Sequence, residues 1–210
     1  MSEHGATVSA TTTSSGVGAE VRPIPGETGI WVFALLDGLV FTEMFCIFAW
    51  YKAQNRDLFQ LSQQTWINPI YGLVYTLLLL TSSWCIVMAV SAVRRRRYDI
   101  ANRLVLWGLV FGTAFVLIKL IEYGEKIYTG ITPITNEYFM FYFVMTGIHL
   151  VHVAVGLSVL AYMRSQIAFS VFSVDLQQST RMRSVTTCGI YWHFVDLLWI
   201  VLFAMFYLRS

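Results

Sequence analysis

Five apolar segments, each long enough to cross a lipid bilayer as a helix, dominate this sequence. A transmembrane helix needs about 20 mostly apolar residues, and five windows reach that length: Gly29–Tyr51, Pro69–Val93, Arg103–Tyr128, Glu137–Met163 and Thr186–Leu208. Only 12% of the 210 residues are charged, about half the fraction of an ordinary soluble domain. Because backbone polar groups inside a bilayer must be satisfied internally, we predict an all-α integral membrane protein, folded as one five-helix bundle.

The first 28 residues differ in composition from the rest of the chain. The stretch "SATTTSSGVGAE" is rich in Ser, Thr, Gly and Ala, which is typical of disorder. It lacks the basic start and apolar stretch of a secretory signal. We therefore expect two parts: a disordered cytoplasmic tail over residues 1–28 and a transmembrane domain over residues 29–210.

Lysine and arginine are distributed unevenly between the two sides of the predicted bundle. Nine lie on the side of the tail: Arg22, Arg94, Arg95, Arg96, Arg97, Arg103, Arg164, Arg181 and Arg183. Four lie on the other side: Lys52, Arg56, Lys126 and Arg209. Because basic residues accumulate on the cytoplasmic side of membrane proteins, we expect the N-terminus in the cytoplasm and the C-terminus outside.

Eight acidic, basic or histidine side chains lie well inside the apolar segments, more than one helical turn from the segment ends. They are Asp37, Glu43, Lys119, Glu122, His149, His152, His193 and Asp196. Each costs about 3 kcal/mol in the middle of a bilayer, so we expect these side chains to face other helices rather than lipid.

Helical spacing and depth suggest how these side chains group. At 1.5 Å per residue, Asp37, His152, His193 and Asp196 lie roughly 9–17 Å from the tail side, and Glu43 and His149 lie about 21 Å deep. We expect two polar layers, in which Asp37 meets His152 and a paired His193 and Asp196, and Glu43 meets His149. Gly156, on the same stripe as the fourth-segment histidines, would let a neighbouring backbone approach.

Other uses of these side chains are open at this point. His193 with His149 or His152 would suffice for one heme, two histidines with carboxylates suit iron or zinc, and buried acids and histidines form proton relays in pumps. The paired Glu-x-x-His motifs of di-iron bundles do not occur. We favour a structural network that specifies helix packing, and we assign no catalytic, cofactor-binding or metal-ligating residue. No pattern for nucleic-acid binding occurs.

Two motifs occur in the last two apolar segments: "TGIHLVHV" at residues 146–153 and "WHFVDLLW" at residues 192–199. They match the patterns Thr-Gly-x-His-x-x-His-Val and Trp-His-x-Val-Asp-x-x-Trp, and they resemble the last two helices of subunit III of the heme-copper oxidases. The segment "LIEYGE" resembles the family's helix directly before these two, and "LLLLTSSW" resembles the helix before that. All four segments thus follow the order of the family's helices. The matched polar and aromatic residues include Glu122, Thr146, His149, His152, Trp192, His193 and Asp196.

The likeness covers nearly the whole chain from Gly29 and corresponds to the short, five-helix form of the family. Members usually carry Glu where this chain has Asp37, and Asn-Thr where it has Tyr75 and Thr76. Together with "IPGETGIWVF" and "IEYGEKIYTGI", these departures resemble most closely the accessory proteins found beside nitric oxide reductases, the NorE type.

The resemblance implies a non-catalytic accessory subunit of a respiratory heme-copper oxidase or nitric oxide reductase complex in the bacterial cytoplasmic membrane. Such a subunit stabilises the catalytic subunit, binds phospholipid between its helices and supports proton uptake, while heme and copper belong to the partner. The network or lipid cleft would comprise Asp37, Glu43, Glu122, Thr146, His149, His152, Trp192, His193 and Asp196. The alternative is a self-contained membrane cytochrome or metal-binding redox protein that uses His149, His152 and His193.

Overall fold

The described chain is helical throughout. A computed structural model of the protein describes residues 28–170 and 178–208, and no strand occurs in these two ranges. Its six helices are α1 (Thr28–Gln54), α2 (Arg56–Trp66), α3 (Pro69–Arg94), α4 (Tyr98–Tyr128), α5 (Glu137–Ser170) and α6 (Gln178–Phe206). Apart from Thr28, which opens α1, the predicted tail lies outside the described residues.

Five of the helices are long and apolar enough to cross a membrane, which confirms the predicted number of spans. These candidate spans are Gly29–Gln54, Pro69–Arg94, Tyr98–Tyr128, Glu137–Ala168 and Met182–Phe206, with mean hydropathies of 1.7 to 2.3 in their most apolar windows. Several helices continue beyond the predicted segments. A search for apolar segments cannot locate the ends of these helices, because their final turns are polar while the backbone remains helical.

The short helix α2 was not predicted. It is amphipathic, and it places Phe59, Ser62 and Gln63 in the interior. The Gln63 amide donates hydrogen bonds to the carbonyl oxygens of Phe206 and Leu208, at 3.0 and 2.8 Å. Helix α2 therefore covers the C-terminal end of α6. It is too short and polar to resemble a membrane span, so the hydropathy of the sequence gives no sign of it.

Local chemistry explains how the central helices begin and end. The Asn68 side chain accepts a hydrogen bond from the Ile70 amide at 2.9 Å, and Pro69 occupies the first turn of α3, where a missing N–H costs nothing. Helix α4 ends before Gly130, whose φ of +83° is a conformation that glycine adopts without strain. The segment "TGITPITN", at residues 129–136, thus joins α4 to α5.

Helices α3, α4, α5 and α6 pack side by side, whereas α1 lies at the edge. The main neighbours are α3 with α4, α4 with α5, α5 with α6, and α6 with α3, while α1 contacts chiefly α6 and α2. Near its C-terminal end, α1 inserts Phe48 between Phe59, Phe141 and Phe206, with ring centroids 4.9 to 5.7 Å apart. The bundle thus consists of a four-helix core and one flanking helix.

Candidate functional site: a polar core between the helices

Three charged side chains on one face of α4 are buried together, and we call them the α4 ion cluster: Lys119, Glu122 and Lys126. The Lys119 ammonium lies 2.8 Å from one carboxylate oxygen of Glu122, and that of Lys126 lies 3.7 Å from the other. Their exposed fractions are only 1%, 2% and 7%. The spacing of three and four residues explains the contact, since such positions are neighbours on a helix.

Tyrosines from the surrounding elements form hydrogen bonds with the charged groups of the ion cluster. Lys119 donates hydrogen bonds to the hydroxyls of Tyr142 and Tyr207, each at 2.8 Å. Tyr75 and Tyr207 donate in turn to Glu122, at 2.9 and 3.0 Å. The Lys119 ammonium also lies 4.6 Å from the centroid of the Tyr142 ring, within the range of a cation–π interaction.

The ion cluster connects four parts of the bundle. Glu122 and Lys119 belong to α4, Tyr75 to α3 and Tyr142 to α5, while Tyr207 directly follows α6. Removing charges from water costs several kcal/mol per ion, and this is offset only when hydrogen bonds are well formed. Because every partner must keep its place for that to hold, the cluster fixes how these helices are rotated against each other.

A cavity of about 170 Å³ lies beside the ion cluster, where α3 starts and α4 ends. Glu122 and Lys126 form part of its wall. The other lining residues are Asn68, Tyr71, Glu125, Thr129 and Ile131. A cavity of this size with polar side chains in its wall is large enough to hold water, so the ion cluster borders a space that water can occupy.

Asp37 and His152 meet between α1 and α5. Asp37 Oδ1 lies 3.2 Å from His152 Nε2, and His152 Nδ1 donates to the Ile148 carbonyl at 2.9 Å. Since Nδ1 already carries a proton, the contact with Asp37 needs a second proton, on the imidazole or on the carboxyl group. The structure thus joins two members of the first predicted layer.

His193 and Asp196, which were expected to pair with each other, do not form a hydrogen bond. His193 Nδ1 lies 2.6 Å from the Ser83 hydroxyl of α3. Both carboxylate oxygens of Asp196 are buried without a hydrogen-bond partner, although Ser83 lies close to this side chain as well. Spacing of three residues makes a contact within α6 possible, but the side chains turn toward α3 instead.

The predicted layer of Glu43 and His149 is not formed. His149 is fully buried, its ring lies 5.4 Å from the Trp199 ring and 6.0 Å from Phe115, and neither ring nitrogen has a hydrogen-bond partner. Glu43 is exposed on α1. The expectation failed because the depth of a residue on its helix does not determine the direction in which its side chain points.

Thr146 and Trp192, the other two predicted residues, are both buried. The Thr146 hydroxyl donates to the Tyr142 carbonyl and contacts the Tyr123 hydroxyl, each at 2.5 Å. The indole of Trp192 lies against Gly156, where an added Cβ would come within 2.9 Å of the ring. Gly156 therefore makes room for a neighbouring side chain, whereas we had expected a neighbouring backbone.

The tyrosines around the ion cluster leave little trace in the sequence. Tyr207 lies near the end of an apolar segment, a position typical of tyrosines at the membrane interface, yet its exposed fraction is 2%. Lys119, Glu122 and Lys126 follow one another at intervals of three and four residues, which places them on one helix face, but this spacing does not identify their partners on other helices. In the described ranges, no three His, Cys, Asp or Glu side chains are grouped so as to hold a metal ion.

Comparison with known proteins finds relatives of this chain among subunits of heme-copper and ubiquinol oxidases. The family model of cytochrome c oxidase subunit III matches residues 7–210. Subunit 3 of the cytochrome bo(3) ubiquinol oxidase of Buchnera aphidicola (from Acyrthosiphon pisum) is 27% identical over 182 residues, covering 87% of this chain and 85% of that protein. Its counterpart in Pseudomonas aeruginosa is 26% identical over 191 residues, covering 87% and 84%.

A third relative carries the matching region within a longer polypeptide. The heme-copper oxidase subunit I+III of Aeropyrum pernix is 26% identical over 196 residues, which cover 89% of this chain and 23% of that protein. The family match spans nearly the whole sequence, agrees with the five apolar helices, and includes both histidine motifs. This chain therefore belongs to the cytochrome c oxidase subunit III family.

Proposed function

We propose that this chain is the non-catalytic subunit III of a bacterial heme-copper oxidase complex in the cytoplasmic membrane. It stabilises the catalytic subunit, which carries heme and copper, and it has no redox centre of its own. The observation that carries this proposal is the family match over residues 7–210. The names of the relatives, subunit 3 of ubiquinol oxidases, agree with an accessory role.

The polar core suits a structural role of this kind. Within the ion cluster, Glu122 is satisfied by Lys119, Tyr75 and Tyr207 inside the chain. A group satisfied in this way holds helices in register and needs no further ligand. The rigid four-helix core then provides a stable surface for the catalytic subunit.

Proton uptake and lipid binding are assigned to the region between α1 and the core. The side chains of Asp37 and His152 lie 3.2 Å apart and stay partly exposed. Asp37 lies eight residues after Gly29, about 12 Å from the start of the span at 1.5 Å per residue. With the N-terminus in the cytoplasm, as the distribution of basic residues favours, this pair lies toward the side from which protons are taken up. We place the phospholipid beside α1, because this span is the least buried of the five.

Our assignment of this chain to the branch of the family found beside nitric oxide reductases rests on a few sequence features. "IPGETGIWVF" and the pair Tyr75 and Thr76 favour the NorE-type branch. Two of the relatives named above are ubiquinol oxidase subunits, which favours oxygen as the acceptor of the complex. Oxygen and nitric oxide consumption by the isolated complex distinguishes the two.

Purification from native membranes tests the proposal. An affinity tag at the N-terminus, in a mild detergent, is expected to recover a heme-bearing subunit together with this chain, along with phospholipid. A preparation that contains this chain but no heme-bearing subunit, while such subunits are abundant in the same membranes, would contradict it. Topology reporters fused to each terminus check the orientation, with the N-terminal reporter expected in the cytoplasm and the C-terminal reporter outside.

A further inference from the structure

One face of α1 is apolar, exposed and interrupted by a single carboxylate. We call it the Glu43 face. Its residues recur at helical spacing and point away from the four-helix core: Val32, Leu36, Leu39, Val40, Glu43, Ile47 and Trp50. Leu36 and Leu39 are 63% and 69% exposed. The opposite face of the same helix carries Asp37, Phe41 and Phe48, which contact the core.

Glu43 lies near the middle of the span. It is 14 residues from Gly29 and 11 from Gln54, the two ends of this span, so it is about 21 and 16 Å from them at 1.5 Å per residue. A glutamate side chain is too short to reach either membrane surface from this depth. An ionisable group here is costly when it faces lipid tails, and such groups normally face a protein partner.

Nothing in the described part of the chain covers the Glu43 face. Glu43 makes no ion pair or hydrogen bond with residues 28–170 or 178–208. Only 11% of the most apolar window of α1 is buried, against 28–50% for the other four spans. The face thus combines a large apolar surface with a carboxylate that has no partner.

We propose that the Glu43 face is the docking surface for a transmembrane helix of the catalytic subunit, and that a Lys or Arg side chain of this helix pairs with Glu43. The inference rests on the proposed function and adds the surface and the chemistry of contact. A cation is the natural complement of a carboxylate in an apolar setting, and lipid tails offer none. In the Aeropyrum pernix relative, subunits I and III form one polypeptide, which agrees with close packing of these two proteins within the membrane.

Photo-crosslinking from two matched positions tests the docking surface. A benzophenone amino acid at Leu39 lies on the Glu43 face, and one at Leu117, which is 56% exposed on α4, lies on another apolar surface. We expect the Leu39 probe to crosslink to the heme-bearing subunit at least tenfold more than the Leu117 probe. Equal crosslinking from both positions, crosslinking from Leu117 alone, or a Leu39 probe that captures only lipid or a second copy of this chain would overturn the inference.

Charge variants of Glu43 test the ion pair. Glu43→Lys is expected to reduce the amount of heme-bearing subunit recovered per chain at least tenfold, whereas Glu43→Gln, which keeps hydrogen bonding, is expected to lose less. The chain itself should fold in both variants, because Glu43 has no partner within the described residues. Recovery that is unchanged by Glu43→Lys would overturn the inference and leave the proposed function standing. If the wild-type chain recovers no heme-bearing subunit, the proposed function fails too.

Discussion

The ammonium nitrogen of Lys119 lies 2.8 Å from a carboxylate oxygen of Glu122, one turn further along α4, and both side chains are almost completely buried. Three tyrosine hydroxyls from neighbouring elements surround them. The buried ion cluster thus lies where α3, α4, α5 and the residue that follows α6 meet. Each partner depends on the others, and this dependence can be tested by removing them one at a time.

Replacing Glu122 by Leu is expected to destabilise the purified chain strongly. The change leaves Lys119 buried without its carboxylate, and breaking a buried pair in this way costs about 3–5 kcal/mol. Thermal unfolding in one detergent measures the effect. Glu125→Leu is the matched control, because this carboxylate lies one turn away and is exposed, and it should unfold near the wild-type temperature. Equal unfolding temperatures for the two variants would contradict a structural role for the ion cluster.

The close contact between Trp192 and Gly156 predicts that even a methyl group at Gly156 is harmful. An added Cβ would lie 2.9 Å from the indole, and overpacking of this kind costs about 1–3 kcal/mol. Gly156→Ala should therefore lower the unfolding temperature. Gly147→Ala on the same helix meets no atom within 4 Å and is expected to be neutral. Recovery in a double variant with Trp192→Phe would identify the clash as the cause.

Ser83→Ala is expected to destabilise the chain more than Asp196→Asn. Ser83 is the hydrogen-bond partner of His193 in a partly buried contact, and loss of such a hydrogen bond costs about 1 kcal/mol. Asp196 has no hydrogen-bond partner to lose, so the isosteric amide should be close to neutral in the isolated chain. Thr81→Val, whose hydroxyl bonds only within its own helix, serves as the control in the same unfolding assay. The reverse order of stability would mean that Asp196, and not Ser83, organises this contact.

Asp37→Leu is expected to loosen α1 while leaving the four-helix core intact. The contact with His152 links α1 to α5, and polar contacts between membrane helices are worth about 0.6 kcal/mol on average. A small change in global stability should therefore accompany faster hydrogen exchange in α1 alone. Thr42→Val, a substitution in the same helix that removes only a bond to Gly38, should leave exchange unchanged. Uniform acceleration across all helices would contradict a local role.

The spans were predictable because membrane helices must satisfy two strong requirements at once, sufficient length and low polarity. The helix α2 meets neither requirement. Its position is set by contacts distant in sequence, such as the Gln63 amide with the carbonyls of Phe206 and Leu208. Its existence therefore follows from packing at the end of α6.

The polar core was predictable only in part. The spacing of Lys119, Glu122 and Lys126 is enough to place them on one face of α4, since that grouping depends on a single helix. The estimated depth of each residue along its helix correctly predicted the contact between Asp37 and His152. It failed for Glu43, because pairing also needs the rotation of each helix about its axis, and that rotation is set by many small contacts, such as those of Phe48.

The absorption spectrum and metal content of this chain, purified alone, show whether it holds a redox centre of its own. We expect no Soret band and no iron or copper in a fixed ratio to protein, with both appearing only when the heme-bearing subunit is present. Heme or metal held by the isolated chain, and lost on replacing His149, His152 or His193, would refute the accessory role and establish a self-contained redox protein.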